Sequence, residues 1–420
     1  MDADVSIIGL GRVGLPLALS FADRGLTVIG VDKDQALLAA VREGRMPFDE
    51  PGAPEALERA RSSGRLELSD RVAEAARARH IVITIGTPSF SHIEIDIRDI
   101  RAALDDLLPV LEPGHCVILR STVAPGTTEF VAGYLAKQRD FDVGTEVFVA
   151  HVPERIAAGR FFDEIATLPN IVGGVGHHSG ERAASLFEGF DGPVVQTTPV
   201  QAELAKIWTN ILRYANFALP NLLMMDCERH EANVFEVIDL INRDYPRGGI
   251  ARPGLTGGTC LRKDFAFSEE RSNAPGMLLA VSRVNESVPL FLVEGIKRRL
   301  GGLSGRKVAV LGLAFKRDTD DERDSLAHKL IRLLERELAD VAVHDPVVAT
   351  PTQSFDEAIA GAGAVVVATN HSAFDGPEVL RRIADAGGSD CLIADPWNCF
   401  GTAQVFAYAA EVTQLARTRS

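Results

Sequence analysis

The stretch Val5-Ser6-Ile7-Ile8-Gly9-Leu10-Gly11-Arg12-Val13-Gly14-Leu15-Pro16 decides the fold. A short β-branched, apolar run meets three glycines spaced G-x-G-x-x-G, and a helical pattern continues to Arg24. Thr27–Val31 then reads as a second strand that ends at Asp32. This is a βαβ unit whose first turn cradles a pyrophosphate. Gly9 permits the tight turn, Gly11 lets the phosphates approach the backbone, and Gly14 lets the helix pack on the sheet. The helix N-terminus attracts the anion, with Arg12 and Val13 in the turn beside it. Asp32 would accept from a ribose 2′-hydroxyl and repel a 2′-phosphate, so NAD is expected over NADP; Lys33, next in sequence, pulls the other way.

Outward from this unit the same alternation continues. His80–Ile85, Cys116–Leu119 and Val147–Ala150 read as further strands with helices between them, one over 97–111. Nearly continuous apolar runs such as Ile81-Val82-Ile83-Thr84-Ile85 suit strands covered on both faces. The pattern changes near Thr198. A long helical stretch runs from Pro199 to about Ile241, interrupted at Pro220. A Gly- and Pro-rich segment (residues 247–260) and more helix to about Leu300 follow. At Lys307 the αβ alternation restarts without G-x-G-x-x-G. The expectation is an α/β chain with two Rossmann-like doubly wound domains, 1–197 and 303–420, joined by a central helical region, 198–302.

The 420 residues carry 44 Lys plus Arg against 58 Asp plus Glu, a net charge of −14. That balance argues against a nucleic-acid binder, which would show a basic stripe. No run reaches a membrane span of ~18 apolar residues. Five cysteines, at 116, 227, 260, 391 and 399, show no C-x-x-C pair and no zinc-site spacing. A reduced, cytoplasmic setting is expected, with no metal, no nucleic acid and no membrane partner.

Other segments carry candidate chemistry. In Gly257-Gly258-Thr259-Cys260-Leu261-Arg262-Lys263-Asp264 a cysteine follows a glycine pair and precedes charged residues. This suits a nucleophilic thiolate, although an isolated cysteine is more often buried structure. Lys206 and Asn210 stand at i and i+4, with Leu204, Ile207 and Ile211 expected on another helix face. Glu154 and Arg155 follow a strand end, where open αβ sheets bind ligands. Thr87, in Gly86-Thr87-Pro88, and Thr122, in residues 121–127, occupy similar turns. Lys316 and Arg323 lie in the mixed-charge run 313–323.

Taken in order, residues 9–16, 86–88, 121–127, 153–160, Lys206 with Asn210, 257–264 and 313–325 resemble the UDP-glucose/GDP-mannose dehydrogenase family over nearly the whole chain. The resemblance implies NAD-dependent oxidation of a sugar nucleotide's C6 alcohol to a uronic acid, and a homodimer through the central helices. It implies that Cys260 is the nucleophile. An aldehyde formed by a first hydride transfer adds the thiolate, a second oxidation gives a thioester, and water cleaves it. Lys206 and Asn210 would donate to the oxyanion, Asp264 would serve as base with a water, and Glu154 and Thr122 would assist around the hydrolytic water. Thr87, Thr122, Lys263 and Arg323 would lie near the cofactor. Glu154, Arg155, Lys206, Asn210, Gly257 and Lys316 would hold the substrate, and Arg247 would reach it from a partner subunit. Three features depart from the family's usual pattern: Arg12 stands where the family often has Tyr or another bulky residue, Arg262 replaces a common proline, and Thr259 a common His or Ser. Residues 153–160 look like the UDP-N-acetylhexosamine branch, and Leu261–Asp264 like the UDP-glucose and GDP-mannose branches. UDP-glucose is the favoured substrate on this reading. UDP-N-acetylhexosamine, GDP-mannose, a two-electron oxidation or epimerisation, and a non-catalytic nucleotide binder stay open.

Overall fold

The computed structural model describes residues 1–87, 98–246, 249–269, 276–388 and 390–411, with backbone alone at 259, 260, 266, 267 and 269. The chain divides into two compact units, one built on residues 1–209 with a short piece after 265, the other on 210–265 and 276–411.

The first unit holds an eight-stranded sheet. Its strands are β1 (Ala3–Ile8), β2 (Val28–Val31), β3 (Leu66–Ser69), β4 (Ala78–Ile83), β5 (Cys116–Leu119), β6 (Phe148–His151), β7 (Asn170–Gly174) and β8 (Val194–Thr197). Their order is β3-β2-β1-β4-β5-β6-β7-β8, parallel throughout except for β6 with β7. Both faces are covered, which is why the strands read as continuous apolar runs. Val5, Ile7, Val82 and Ile118 join one buried cluster, and Ile8, Ile81, Ile83, Val117 and Leu119 join another.

The second unit holds β9 (Lys307–Leu311), β10 (Asp340–His344), β11 (Ala364–Val367), β12 (Leu392–Ala394) and β13 (Phe406–Tyr408), in the order β10-β9-β11-β12-β13, with only β12–β13 antiparallel. Val308 and Val310 pack to one side, Ala309 and Leu311 to the other.

The helices needed below are α1 (Gly14–Asp23), α2 (Thr127–Arg139), α3 (Pro199–Arg229), α4 (Val234–Asn242), α5 (Thr259–Glu269), α6 (Met277–Leu300) and α7 (Leu326–Arg336). The break expected at Pro220 does not occur, because α3 runs through it. The chain turns at residues 230–233 instead, where Glu231 takes φ +54 and the Asn233 side chain caps α4. Leu204 is also corrected: it is 38% exposed, whereas Glu203, Ile207, Asn210 and Ile211 are buried. The buried face of α3 thus carries Asn210, expected on another face, and Glu203, which no sequence pattern placed.

Candidate active site

In the first unit the glycine turn has the geometry of a dinucleotide cradle. Gly9 takes φ +96. A Cβ on Gly14 would lie 1.7 Å from the Gly9 carbonyl oxygen, so the fold itself demands that glycine. A Cβ on Gly11 would meet no protein atom within 4 Å. Packing within the chain does not explain Gly11, whereas backbone left open to a pyrophosphate at the start of α1 does. Asp32 Oδ2 accepts from the Leu10 N–H at 2.6 Å, which anchors the acid of β2 against the turn, and Oδ1 accepts from the Asp34 N–H. The half-buried carboxylate retains lone pairs for ribose hydroxyls. These residues fit NAD. Arg12 lies over the Phe48 ring, and the Lys33 ammonium is 4.0 Å from Asp99 in solvent. The Thr87 hydroxyl donates to the Thr122 carbonyl at 2.7 Å, tying together the turns after β4 and β5.

Buried carboxylates organise the rest of this unit's site. Glu154 accepts from Arg120 at 2.6 Å and from the Ile156 N–H at 2.7 Å; the two side chains are 10% and 2% exposed. Glu50 and Glu164 take further N–H groups of the same loop, at Gly159, Phe161 and Ala157. Residues 154–161 are therefore pinned by three carboxylates, and Arg155 donates to the Pro169 carbonyl. Glu203 is fully buried and accepts from the Gly126 N–H, the Thr128 N–H and the Thr128 hydroxyl at 2.6–2.9 Å. Burial pushes its carboxyl up, and the three donors oppose that shift. This clamp holds the start of α2 against α3, one turn before Lys206. His151, at the end of β6, is fully buried with neither ring nitrogen hydrogen-bonded. Burial pulls it down to about 3; the backbone of Leu119 opposes that shift, and the charges of Arg120 and Lys206 add to it.

In the second unit α5 begins at the cysteine loop; Cys260 is its second residue and only its backbone is described. Asn210 of α3 donates its side-chain amide to Asp264 Oδ2 at 2.6 Å, both groups buried. The loop before α5 presses on the segment that carries Lys316 and Arg323. A Cβ on Gly257 would stand 3.0 Å from the Asp324 carbonyl, and one on Gly258, which has φ +91, 2.6 Å from the Phe315 ring. Arg323 pairs with Asp321 at 2.7 Å, and the Thr319 hydroxyl caps the Lys316 carbonyl. Thus Asn210 and Asp264 meet, and Gly257 lies against the backbone of Asp324 and Ser325, directly after the run that carries Lys316 and Arg323. Thr122, Glu154, Arg155 and Lys206 belong to the first unit, and Lys263 to α5. Arg247 and Pro88 lie outside the described residues.

A second strand-end acid mirrors Asp32. Asp345, just after β10, accepts from the Leu313 and Ala314 N–H groups after β9, from Val347 and Val348, and from His371 Nε2. Burial works to raise its pKa, but His371 and the four backbone donors hold the carboxylate well below the usual range. Sequence reading missed Arg120, Glu203, His151 and His371. Asp345 alone left a visible signal, in the repeated motif of a strand closing on an acid.

Comparisons with known proteins bear on the family and the fold. Family profiles match the UDP-glucose/GDP-mannose dehydrogenase NAD-binding domain at residues 3–191, its central domain at 200–287 and its UDP-binding domain at 309–402. The chain is 33% identical over 377 residues to a UDP-N-acetyl-D-mannosamine dehydrogenase of Pyrococcus horikoshii, covering 88% of this chain and 90% of that one. A solved UDP-D-ManNAc dehydrogenase from Pyrococcus horikoshii superposes with a TM-score of 0.87 at 32% identity, over 93% of this chain and 94% of the other. A UDP-glucose dehydrogenase from Pyrobaculum islandicum gives 0.81 at 30% identity, over 94% of each chain. The fold and the glycine turn define an NAD-binding oxidoreductase. The chain belongs to the UDP-glucose/GDP-mannose dehydrogenase family and is a nucleotide-sugar dehydrogenase by that membership. Among the described residues no helix is long and apolar enough to cross a membrane.

Proposed function

We propose that this enzyme oxidises the C6 alcohol of UDP-N-acetylmannosamine to the carboxylate in two NAD-dependent steps. The observation that carries the sugar assignment is the 33% identity, across 88% of the chain, to a UDP-N-acetyl-D-mannosamine dehydrogenase. It supports UDP-ManNAc over UDP-glucose, which the sequence alone favoured, and it agrees with the resemblance of residues 153–160 to the N-acetylhexosamine branch.

When bound, NAD supplies the hydride acceptor for both oxidations. The Cys260 thiolate adds to the intermediate aldehyde, and after the second oxidation it leaves from the thioester as water attacks. Lys206 and Asn210 donate to the oxyanion. Asn210 has two amide hydrogens; the bond to Asp264 uses one, orients the group and leaves the other for the substrate. Asp264 takes a proton from the attacking water. Glu154, fixed by Arg120, assists with Thr122 around that water. Gly9, Gly11, Gly14 and Asp32 hold the cofactor, with Arg12, Val13, Lys33, Thr87, Lys263 and Arg323 beside it. Arg155, Gly257, Lys316 and a partner's copy of Arg247 hold the sugar nucleotide.

The regions 1–197, 198–302 and 303–420 then serve as the cofactor, dimerisation and nucleotide pieces of a cytoplasmic homodimer. A run of exposed apolar residues along α3 supports the dimer: Leu204, Trp208, Leu212, Leu219 and Leu222 are 38–60% exposed, an apolar surface of the kind that marks interaction sites. Initial rates with UDP-ManNAc, UDP-GlcNAc, UDP-glucose and GDP-mannose test the reading. UDP-ManNAc should give the highest kcat/KM; a higher value for UDP-glucose would overturn the sugar assignment.

A further inference from the structure

Arg262 stands where the family commonly has proline, two residues beyond the cysteine. Its guanidinium does not spread its charge over the cysteine loop. Nε donates to Glu286 Oε1 of α6 at 2.5 Å. Nη1 donates to the Asp324 carbonyl at 3.2 Å and lies 3.5 Å from the Asp324 carboxylate. Glu286 is held in turn, since Lys329 of α7 donates to its carbonyl at 2.7 Å and to its Oε2 at 3.1 Å.

Asp324 has φ +55, a left-handed backbone that non-glycine residues seldom adopt. That conformation turns its carbonyl to the cysteine loop, where it accepts from Arg262 and also from the Gly258 N–H at 3.2 Å. Gly257 lies so close to this carbonyl and to the Ser325 Cα that a side chain would not fit without displacing backbone. One strained peptide, one guanidinium and two glycines therefore converge on the first turn of α5. They join it to α6 and to the segment that runs from Lys316 to α7. Strain of this kind persists where surrounding structure over-determines it, and such sites cluster at functional positions.

We propose that Arg262 is a positioning residue for Cys260. It locks the first turn of α5 onto the Asp324 carbonyl and the Glu286 carboxylate, so that the place of the thiolate is set by the same segment that carries Lys316 and Arg323. The inference rests on Cys260 being the nucleophile of the proposed reaction. A guanidinium satisfies both acceptors at once in a planar fork, which a lysine ammonium cannot do.

The test compares wild type with Arg262→Ala, Arg262→Lys and Glu286→Gln. It measures kcat and KM for UDP-ManNAc and for NAD, the melting temperature, and the rate of Cys260 alkylation by iodoacetamide, read by peptide mass spectrometry. Arg262→Ala should lower kcat by about 10²-fold, the scale of a misplaced reacting group, while both KM values stay within about threefold. Its Cys260 alkylation should speed up at least about threefold as the first turn of α5 loosens. Arg262→Lys and Glu286→Gln should fall between wild type and Arg262→Ala in both readouts. Unchanged kcat and alkylation in Arg262→Ala would overturn the proposal. So would a loss carried wholly by KM, or alkylation equal to wild type in whichever variants melt at the wild-type temperature. A wild type inactive on every sugar nucleotide would overturn the functional reading instead, and the alkylation comparison would still decide the role of Arg262.

Discussion

Replacing His151 by leucine should change the acid stability of the protein while leaving its neutral stability almost untouched. The imidazole is fully buried, with no well-formed hydrogen bond at either nitrogen and only the Leu119 backbone favouring its charged form, and is held down at about 3 against an ordinary value of 6.5. Below pH 6.5 the unfolded chain binds a proton here that the folded chain refuses, so stability falls as pH falls, through the window from 6.5 to about 3. At pH 4.5 the span is 6.5 − 4.5, or two pH units; at about 1.4 kcal/mol per unit the histidine costs roughly 3 kcal/mol there. At pH 7.5 both states are neutral and that cost vanishes. Leucine has similar bulk and leaves no buried polar atoms unsatisfied, so the variant should match or slightly exceed wild type at pH 7.5. Urea unfolding at pH 7.5 and 4.5 measures this. The carboxylates that titrate in the same range are common to both proteins, so the change in the difference between them isolates His151. Equal losses of stability in wild type and variant between the two pH values would refute the argument.

Gly11→Ala should fold with an unchanged melting temperature but bind NAD at least about tenfold more weakly by fluorescence titration, because its Cβ meets no protein atom and would face the pyrophosphate. Gly14→Ala should instead fail in stability, because its Cβ would sit 1.7 Å from the Gly9 carbonyl. Arg120→Met should cost about 3–5 kcal/mol in urea unfolding by stranding buried Glu154, and adding Glu154→Leu should restore most of that. Asn210→Leu, which removes a donor from Asp264 and from the proposed oxyanion, should lower kcat by about 10²–10³-fold in steady-state assays.

The βαβ unit was legible because its signal is local. Glycine spacing, strand, helix and Asp32 all fall within one short stretch, and backbone geometry there depends on those residues alone. The double covering of both sheets was legible for the same reason, from continuous apolar runs such as residues 81–83. Short strands with weak patterns were not. Val195 of β8 is 47% exposed, and the antiparallel β7 and β13 follow no βαβ rhythm. Pro220 looked like a helix end, but the neighbouring polar network of Asn221, Asn285 and the Gly254 N–H holds α3 in place around it. The catalytic candidates could be listed from sequence, yet the groups that position them could not. Glu203 finds its donors 75–77 residues away, Arg120 reaches Glu154 across 34, and Arg262 reaches Asp324 across 62. Such partnerships are made by the tertiary fold and leave no spacing to read. The sugar was not legible because the motifs that govern chemistry are shared across substrates of this family, as the superposition on a UDP-glucose dehydrogenase illustrates.

The central claim is a four-electron oxidation carried by Cys260. Its most direct test is the ratio of NADH formed to UDP-ManNAc consumed, followed to completion with mass detection of the product. Wild type should give two NADH and one carboxylate per sugar nucleotide; Cys260→Ser should give at most a burst of two NADH per active site and no sustained release of free carboxylate. One NADH per sugar, or continued acid production by Cys260→Ser, would contradict it.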